Sequence, residues 1–147
     1  MKALIRTTLT SRDSWSTLAL RLPAGIIFMA HGSQKLFGWF GGYGLEGTGQ
    51  WMASVGLEPG YLMALLSGSA EFFGGLALLL GLLTRPAAAV LVFTMLVAIF
   101  GVHISNGLFI SNNGFEYALS LLALSASLLI SGGGKLSADR ALANRLD

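Results

Sequence analysis

Five side chains stand out for their titratable chemistry within otherwise apolar stretches of this 147-residue sequence, namely His31, Lys35, Glu71, His103 and Glu116. An ionisable group in an apolar span is costly, about 2.5–3.5 kcal/mol at the centre of a bilayer, so such groups face an interior or a wet cavity. A histidine with a reference pKa near ~6.5 donates hydrogen bonds and exchanges protons. Lys35 is placed to stabilise an oxygen that gains negative charge, and Glu71 and Glu116 to accept protons or pass them to water. Together they supply hydrogen-bond donors, a positive charge and a route for protons within apolar surroundings. The same residues allow other readings. Two His and two Glu in a bundle core resemble a carboxylate metal site, although the Glu-x-x-His spacing is absent and Lys35 would repel a cation. A non-enzymatic carrier or scaffold would use the polar groups only to hold an amphipathic ligand or brace a complex. Glu71 is equally readable as a structural ion pair with Lys35 or a histidine. Haem on two axial histidines requires their helices to face each other.

Composition narrows the chemistry. With no cysteine in the chain, disulfides, Cys-type zinc sites, thiol nucleophiles and CxxC redox motifs are excluded. Nine basic and seven acidic residues leave a net charge of +2, too little for a nucleic-acid footprint. The glycines of residues 41–49 follow no strand and lack a phosphate-loop spacing. Hydrophobic residues make up 54% and charged residues 11%, with a mean hydropathy of +0.71; soluble domains carry about 25% charged residues. The chain reads as an integral membrane protein.

The elements that position the five residues follow from four apolar runs, at residues 18–40, 61–83, 86–110 and 115–131. The first three exceed the roughly 20 residues that cross a bilayer as helix; the fourth is shorter, about 24 Å. Lacking period-2 alternation, and obliged to satisfy their own backbone in lipid, they should be helices. The expected fold is all-α: a membrane-embedded four-helix bundle, up-down-up-down, forming one transmembrane domain over residues 1–147 with a short polar tail at 135–147. Small residues four apart (Ala64 and Gly68, Ala70 and Gly74, Ala123 and Ser127) mark close helix packing. Counting along the helices puts His31 and His103 roughly 20 and 26 Å, and Glu71 and Glu116 roughly 18 and 21 Å, above the inner edge. All four share one level with Lys35 just above, so the five are expected in one outward-facing cavity.

Boundary signals set the orientation. Lys2, Arg6, Arg12, Arg85, Lys135, Arg140 and Arg145 fall on one side, and Lys35 alone lies near the other; by the positive-inside rule both termini are cytoplasmic. The first 17 residues lack a long apolar run and are not read as a cleaved leader. Arg21 reads as an anchor reaching the inner surface, or as a local ion pair. Asp13 or Ser14 is placed to cap the first helix and Ser137 the tail helix. Pro86 stands at a first helical position after a two-residue turn, and Gly132 to Gly134 end the fourth helix. The loop at 41–60, ringed by Trp39, Phe40, Tyr43, Trp51 and Tyr61, reads as an interfacial aromatic belt or a lid over the pocket.

The halves echo each other. Residues 31–37 read His-Gly-Ser-Gln-Lys-Leu-Phe and residues 103–109 read His-Ile-Ser-Asn-Gly-Leu-Phe; Glu71-Phe72 and Glu116-Tyr117 follow in the respective halves. The pattern predicts a parallel pseudo-twofold repeat of two helix pairs.

From Arg21 to Asp139 the chain resembles the DoxX family of small four-helix membrane proteins. The resemblance rests on His31-Gly-Ser-Gln-Lys35, Glu71-Phe-Phe-Gly-Gly, Leu80-Gly-Leu-Leu-Thr-Arg85, Asn113-Gly-Phe-Glu116 and Gly132-Gly-Gly-Lys-Leu-Ser-Ala-Asp139. Ala138 departs from the larger apolar residue common there. The resemblance implies a membrane component of a redox system: the family name traces to a subunit of a thiosulfate:quinone oxidoreductase, and relatives are linked to quinone stress and to detoxification of reactive oxygen and thiols. The expectation is thus a quinone-linked subunit of the bacterial cytoplasmic membrane, in contact with lipid. It would work with a redox partner protein or further copies of itself, and a flavin, haem or partner would carry the electrons because no residue here does. His31, Lys35, Glu71, His103 and Glu116 are the expected quinone-binding residues.

Overall fold

Apolar runs that cannot alternate as strands fold here into helices, and every regular element among the described residues is helical. The structure, a computed structural model, describes residues 7–11 and 14–146; Lys2, Arg6, Arg12 and Asp13 lie outside the described residues. In chain order the helices are α1 (Ser16–Phe37), α2 (Gly44–Ser54), α3 (Gly60–Leu80), α4 (Thr84–Ala98), α5 (Glu116–Ser131) and α6 (Ala138–Leu146). α4 widens into a π turn at Ile99–His103 and tightens to a 3-10 turn at Ile104–Asn106. α3 and the stretch Thr84–Asn106 are each long and apolar enough to cross a bilayer, and α5 is a shorter apolar helix.

Glycine decides how closely α1 and α3 approach. A methyl group at Gly25 would sit 2.8 Å from the Gly75 carbonyl oxygen, and one at Gly75 would sit 2.5 Å from the Met29 amide. Farther along, a methyl at Gly32 would lie 2.7 Å from the Gly68 carbonyl oxygen and closer still to the Phe72 amide. Residue numbers rise on α1 as they fall on α3, so the two helices lie antiparallel, backbone on backbone. The most extensive packing joins α1 to α3 and α4 to α5, with α3 against α4 closing the group. Gly74 of α3 receives Leu91 of α4 at this second contact. Between them lies an apolar core that includes Ala24, Phe28, Leu78, Ala88, Leu91, Leu121 and Leu128. Ala64, Gly68 and Gly74 sit in buried positions as their spacing predicts, whereas Ala123 is exposed: α5 instead buries Ala118, Leu121, Ser125 and Leu128.

One end is held by the tail. Asp139 accepts from the amides of Leu83 (2.6 Å) and Thr84 (2.9 Å), capping α4 from 55 residues away. With that cap the helix begins at Thr84, two residues ahead of the expected Pro86 start. Pro86 still falls in the first turn, where a missing N–H leaves no bond unmade. Ser137 caps α6 as expected, accepting from the Arg140 amide at 3.2 Å. Ser14 accepts from the Ser16 amide at 3.1 Å. Arg21 departs from its reading as a surface anchor. It is 1% exposed and donates to the Leu136 carbonyl, with Asp139 as the neighbouring acidic charge, so the tail folds over it.

The sequence repeat does not carry a shared backbone. Residues 31–37 are regular α-helix, whereas 103–109 pass from the π turn through the 3-10 turn into a loop with Gly107 at φ 78°.

Because the Gly32 contact is backbone to backbone, even one methyl forces the helices apart. Gly32→Ala is expected to cost about 1–3 kcal/mol. Gly101→Ala, whose methyl meets only side chains, Leu57 at 3.4 Å and Val97 at 3.9 Å, should be neutral. Thermal unfolding of the two variants in detergent checks the contrast.

Candidate functional site

His31 and Lys35 stand one turn apart on the same face of α1. Gly32, between them, presses on the backbone of Phe72, so the preceding residue, Glu71, is brought beside α1. Lys35 Nζ and Glu71 Oε2 form an ion pair, with the side chains 22% and 5% exposed. An edge-on contact of Phe37 with Phe72, ring centroids 5.4 Å apart, packs beyond it. Glu71 therefore has the partner that its burial demands.

α5 supplies Tyr117, whose hydroxyl lies 3.4 Å from His31 Nε2 with the rings tilted at 5.8 Å. α4 supplies His103 from the π turn. Such turns are frequent at functional sites because the extra residue re-aims a side chain. His103 Nδ1 lies 2.8 Å from the Asn113 carbonyl oxygen, which also accepts from Asn106 Nδ2 at 3.1 Å.

These groups wall a cavity of about 140 Å³. His31, Lys35, Glu71, His103 and Tyr117 form its polar part, and Phe28, Met95, Ala98, Ala118 and Leu121 its apolar part. Four of the five residues singled out in the sequence thus converge. Glu116 does not line the cavity: its carboxylate accepts from the Ile110 amide at 2.7 Å and its own amide donates to the Leu108 carbonyl, tying the loop before α5. The sequence reading passed over Tyr117. Its signal was present in the spacing of Tyr117, Leu121, Ser125 and Leu128, a single helical face. The loop expected at 41–60 contains α2, seated on α3 where Gly49 meets Gly60 and Tyr61. Trp39, Phe40, Tyr43, Trp51 and Tyr61 are exposed, and none of them lines the cavity.

The cavity volume is close to the ~150 Å³ that holds one benzene ring. Among the described residues no three His, Asp or Glu side chains gather as a metal would require.

A model of the DoxX family matches residues 16–104. The chain belongs to the DoxX family. It is 36% identical to a Bacillus subtilis (strain 168) protein named "Putative oxidoreductase CatD", over 76% of this chain and 77% of that one. Two Escherichia coli (strain K12) relatives are named inner membrane proteins: YphA is 30% identical over 84% of this chain and 87% of its own, and YqjF 34% identical over 79% and 76%. No solved structure matches the chain. The DoxX match covers α1 through the π turn and so includes every cavity residue except Tyr117, Ala118 and Leu121.

In this DoxX chain the Lys35–Glu71 pair makes a definite prediction. Lys35→Met leaves the buried Glu71 carboxylate unmatched and should lower stability by about 1.5–3 kcal/mol, and Glu71→Gln, which leaves the partly exposed Lys35 without its partner, should lower it by less. The double variant should recover most of that loss. A double-mutant cycle on melting in detergent reads the coupling.

Proposed function

We propose that this DoxX protein is an integral membrane subunit of a redox system that binds a quinone head in the cavity between α1, α3, α4 and α5. In this reading those four helices cross the bacterial cytoplasmic membrane up-down-up-down. The tail end and both termini lie in the cytoplasm, and the cavity opens toward the outer face. The observation that carries the reading is the cavity itself: one ring in size, apolar on one side, with two histidines, a lysine, a buried glutamate and a tyrosine on the other. The apolar outer surface, with Ile26, Phe73, Phe93, Phe100 and Ile130 exposed on different helices, supports a lipid environment. The name of the Bacillus relative supports redox work.

Within the cavity this chain's residues bind, orient and manage protons. Lys35, held by Glu71, presents positive charge toward an oxygen that becomes more negative on reduction. His31 and Tyr117 share a hydrogen bond that a ligand oxygen can join. A bound quinone would supply the two-electron chemistry, and a partner protein carrying flavin or haem would exchange the electrons. The cysteine-free chain has no thiol relay of its own, which favours, as a second reading, non-enzymatic carriage of the same ring or a scaffold for the complex.

Two measurements test these statements. Because the chain lacks cysteine, Glu46→Cys, at an exposed position of α2, should react with a membrane-impermeant thiol reagent added outside intact cells. Labelling only after lysis overturns the orientation. Protein purified in mild detergent should retain extractable quinone, and Glu71→Gln should weaken quinone binding about tenfold, about 1.4 kcal/mol. Quinone-free protein that binds no added quinone ends the proposal.

A further inference from the structure

We propose that the cavity selects the reduced, dihydroxy form of a single aromatic ring, one hydroxyl of which donates its hydrogen to Nε2 of His103. The inference rests on the ring-site reading above and adds which redox form the site holds best. It starts from hydrogen-bond parity. A backbone carbonyl oxygen only accepts, so the 2.8 Å contact between the Asn113 carbonyl and His103 Nδ1 requires the hydrogen to be on Nδ1. A neutral imidazole carries one such hydrogen, which leaves Nε2 with a bare lone pair. His103 lines the cavity with Nδ1 already engaged, which leaves Nε2 as the ring nitrogen we assign to the ligand, and it is an acceptor. A hydroxyl satisfies that nitrogen. A quinone carbonyl sets lone pair against lone pair and leaves both unsatisfied.

The tautomer is built in by the loop between α4 and α5. Asn113, at φ 59°, donates its amide to the Ile110 carbonyl at 2.8 Å. The amides of Gly114 and Phe115 donate to the carbonyls of Phe109 and Gly107 at 2.9 and 3.0 Å. The Glu116 carboxylate closes the loop on the Ile110 amide. The Asn113 carbonyl therefore has a fixed direction, and its second donor, Asn106, occupies its other lone pair. Glu116, outside the cavity wall, thereby becomes a positioning residue: it holds the loop that holds the carbonyl that sets the tautomer. Elsewhere in the cavity the Lys35–Glu71 pair offers both a donor and an acceptor, so the second oxygen of the ring is accommodated as a hydroxyl. Selection comes from His103.

The test uses the full chain in mild detergent and titrates 1,4-dihydroxybenzene, 1,4-benzoquinone and 1,4-dimethoxybenzene by calorimetry. The dihydroxy ring should bind at least about tenfold more tightly than either ring lacking a hydroxyl hydrogen, the scale expected where a buried polar group is left unpaired. His103→Phe should bring the affinities to within about twofold of one another, and Glu116→Ala should shrink the preference although it touches no ligand. Nitrogen NMR of histidine-labelled protein gives a readout independent of any ligand: His103 should be the Nδ1-protonated form in the wild type and lose that bias in Glu116→Ala. Equal or tighter binding of benzoquinone, or an Nε2-protonated His103, overturns the selection while leaving the ring site standing. No binding of any of the three rings, with the tautomer as expected, overturns the ring site and the selection with it.

Discussion

The closest approach of α1 and α3, glycine on glycine, is the constraint from which the rest of this structure follows. Side chains of ordinary size would hold two helices 8–10 Å apart, and Lys35 would then have to reach farther across an apolar gap to meet Glu71. Removing the side chains at Gly25, Gly32, Gly68 and Gly75 lets backbone rest on backbone. The seam also supplies what hydrophobicity cannot supply among apolar surroundings, since helix association there depends on close packing rather than on exclusion of water. Gly32 lies between His31 and Lys35, and its contact is the Phe72 backbone beside Glu71. A packing device and a chemical device therefore occupy the same turn.

The buried Glu71 carboxylate is matched by the Lys35 ammonium. Yet a pair whose charges satisfy each other adds little net stability over an apolar substitute of the same shape. The pair stands in the cavity wall, with Lys35 still partly exposed. The histidines differ in their constraints. His31 contacts a tyrosine hydroxyl that can donate or accept, whereas His103 contacts a carbonyl that can only accept. Two copies of one residue type thus offer unlike chemistry.

Much of this was legible in the residues themselves. Polar groups at a common helical depth are a statement about rise per residue, and His31, Lys35, Glu71 and His103 do meet. The helical runs were legible for the same reason. What the pattern could not reveal came from long-range contacts and irregular backbone. Asp139 starting α4 at Thr84 is a cap supplied by a distant segment, invisible to local rules. Arg21 has the spacing of an interfacial anchor, and only the tail folding across it makes it a buried residue. Glu116 matched Glu71 in the apparent repeat, but the π turn and the short loop after it redirect the second half, so its carboxylate serves the backbone instead. Gly44–Ser54 reads as loop because glycine is a poor helix former; seating against Gly60 and Tyr61 outweighs that preference.

The two ends of the molecule are built differently. At the tail end a charged residue from each of two distant segments, Arg21 and Asp139, is buried and bonded to backbone groups, beside left-handed turns at Gly81 and Leu83. At the other end the backbone is irregular: a π turn, two 3-10 turns and a left-handed Asn113 within fifteen residues of one another. Irregular backbone at membrane depth persists only where protein buries it or a cavity uses it. Here the amides of Asn113, Gly114, Phe115 and Glu116 donate to carbonyls within the loop, and the Asn113 carbonyl meets His103 Nδ1. This irregular stretch carries His103 to the cavity, whereas the glycine seam joins two regular helices, α1 and α3. The selection proposed for His103 depends on the irregular stretch, because an imidazole free to turn would offer either of its nitrogens to a ligand.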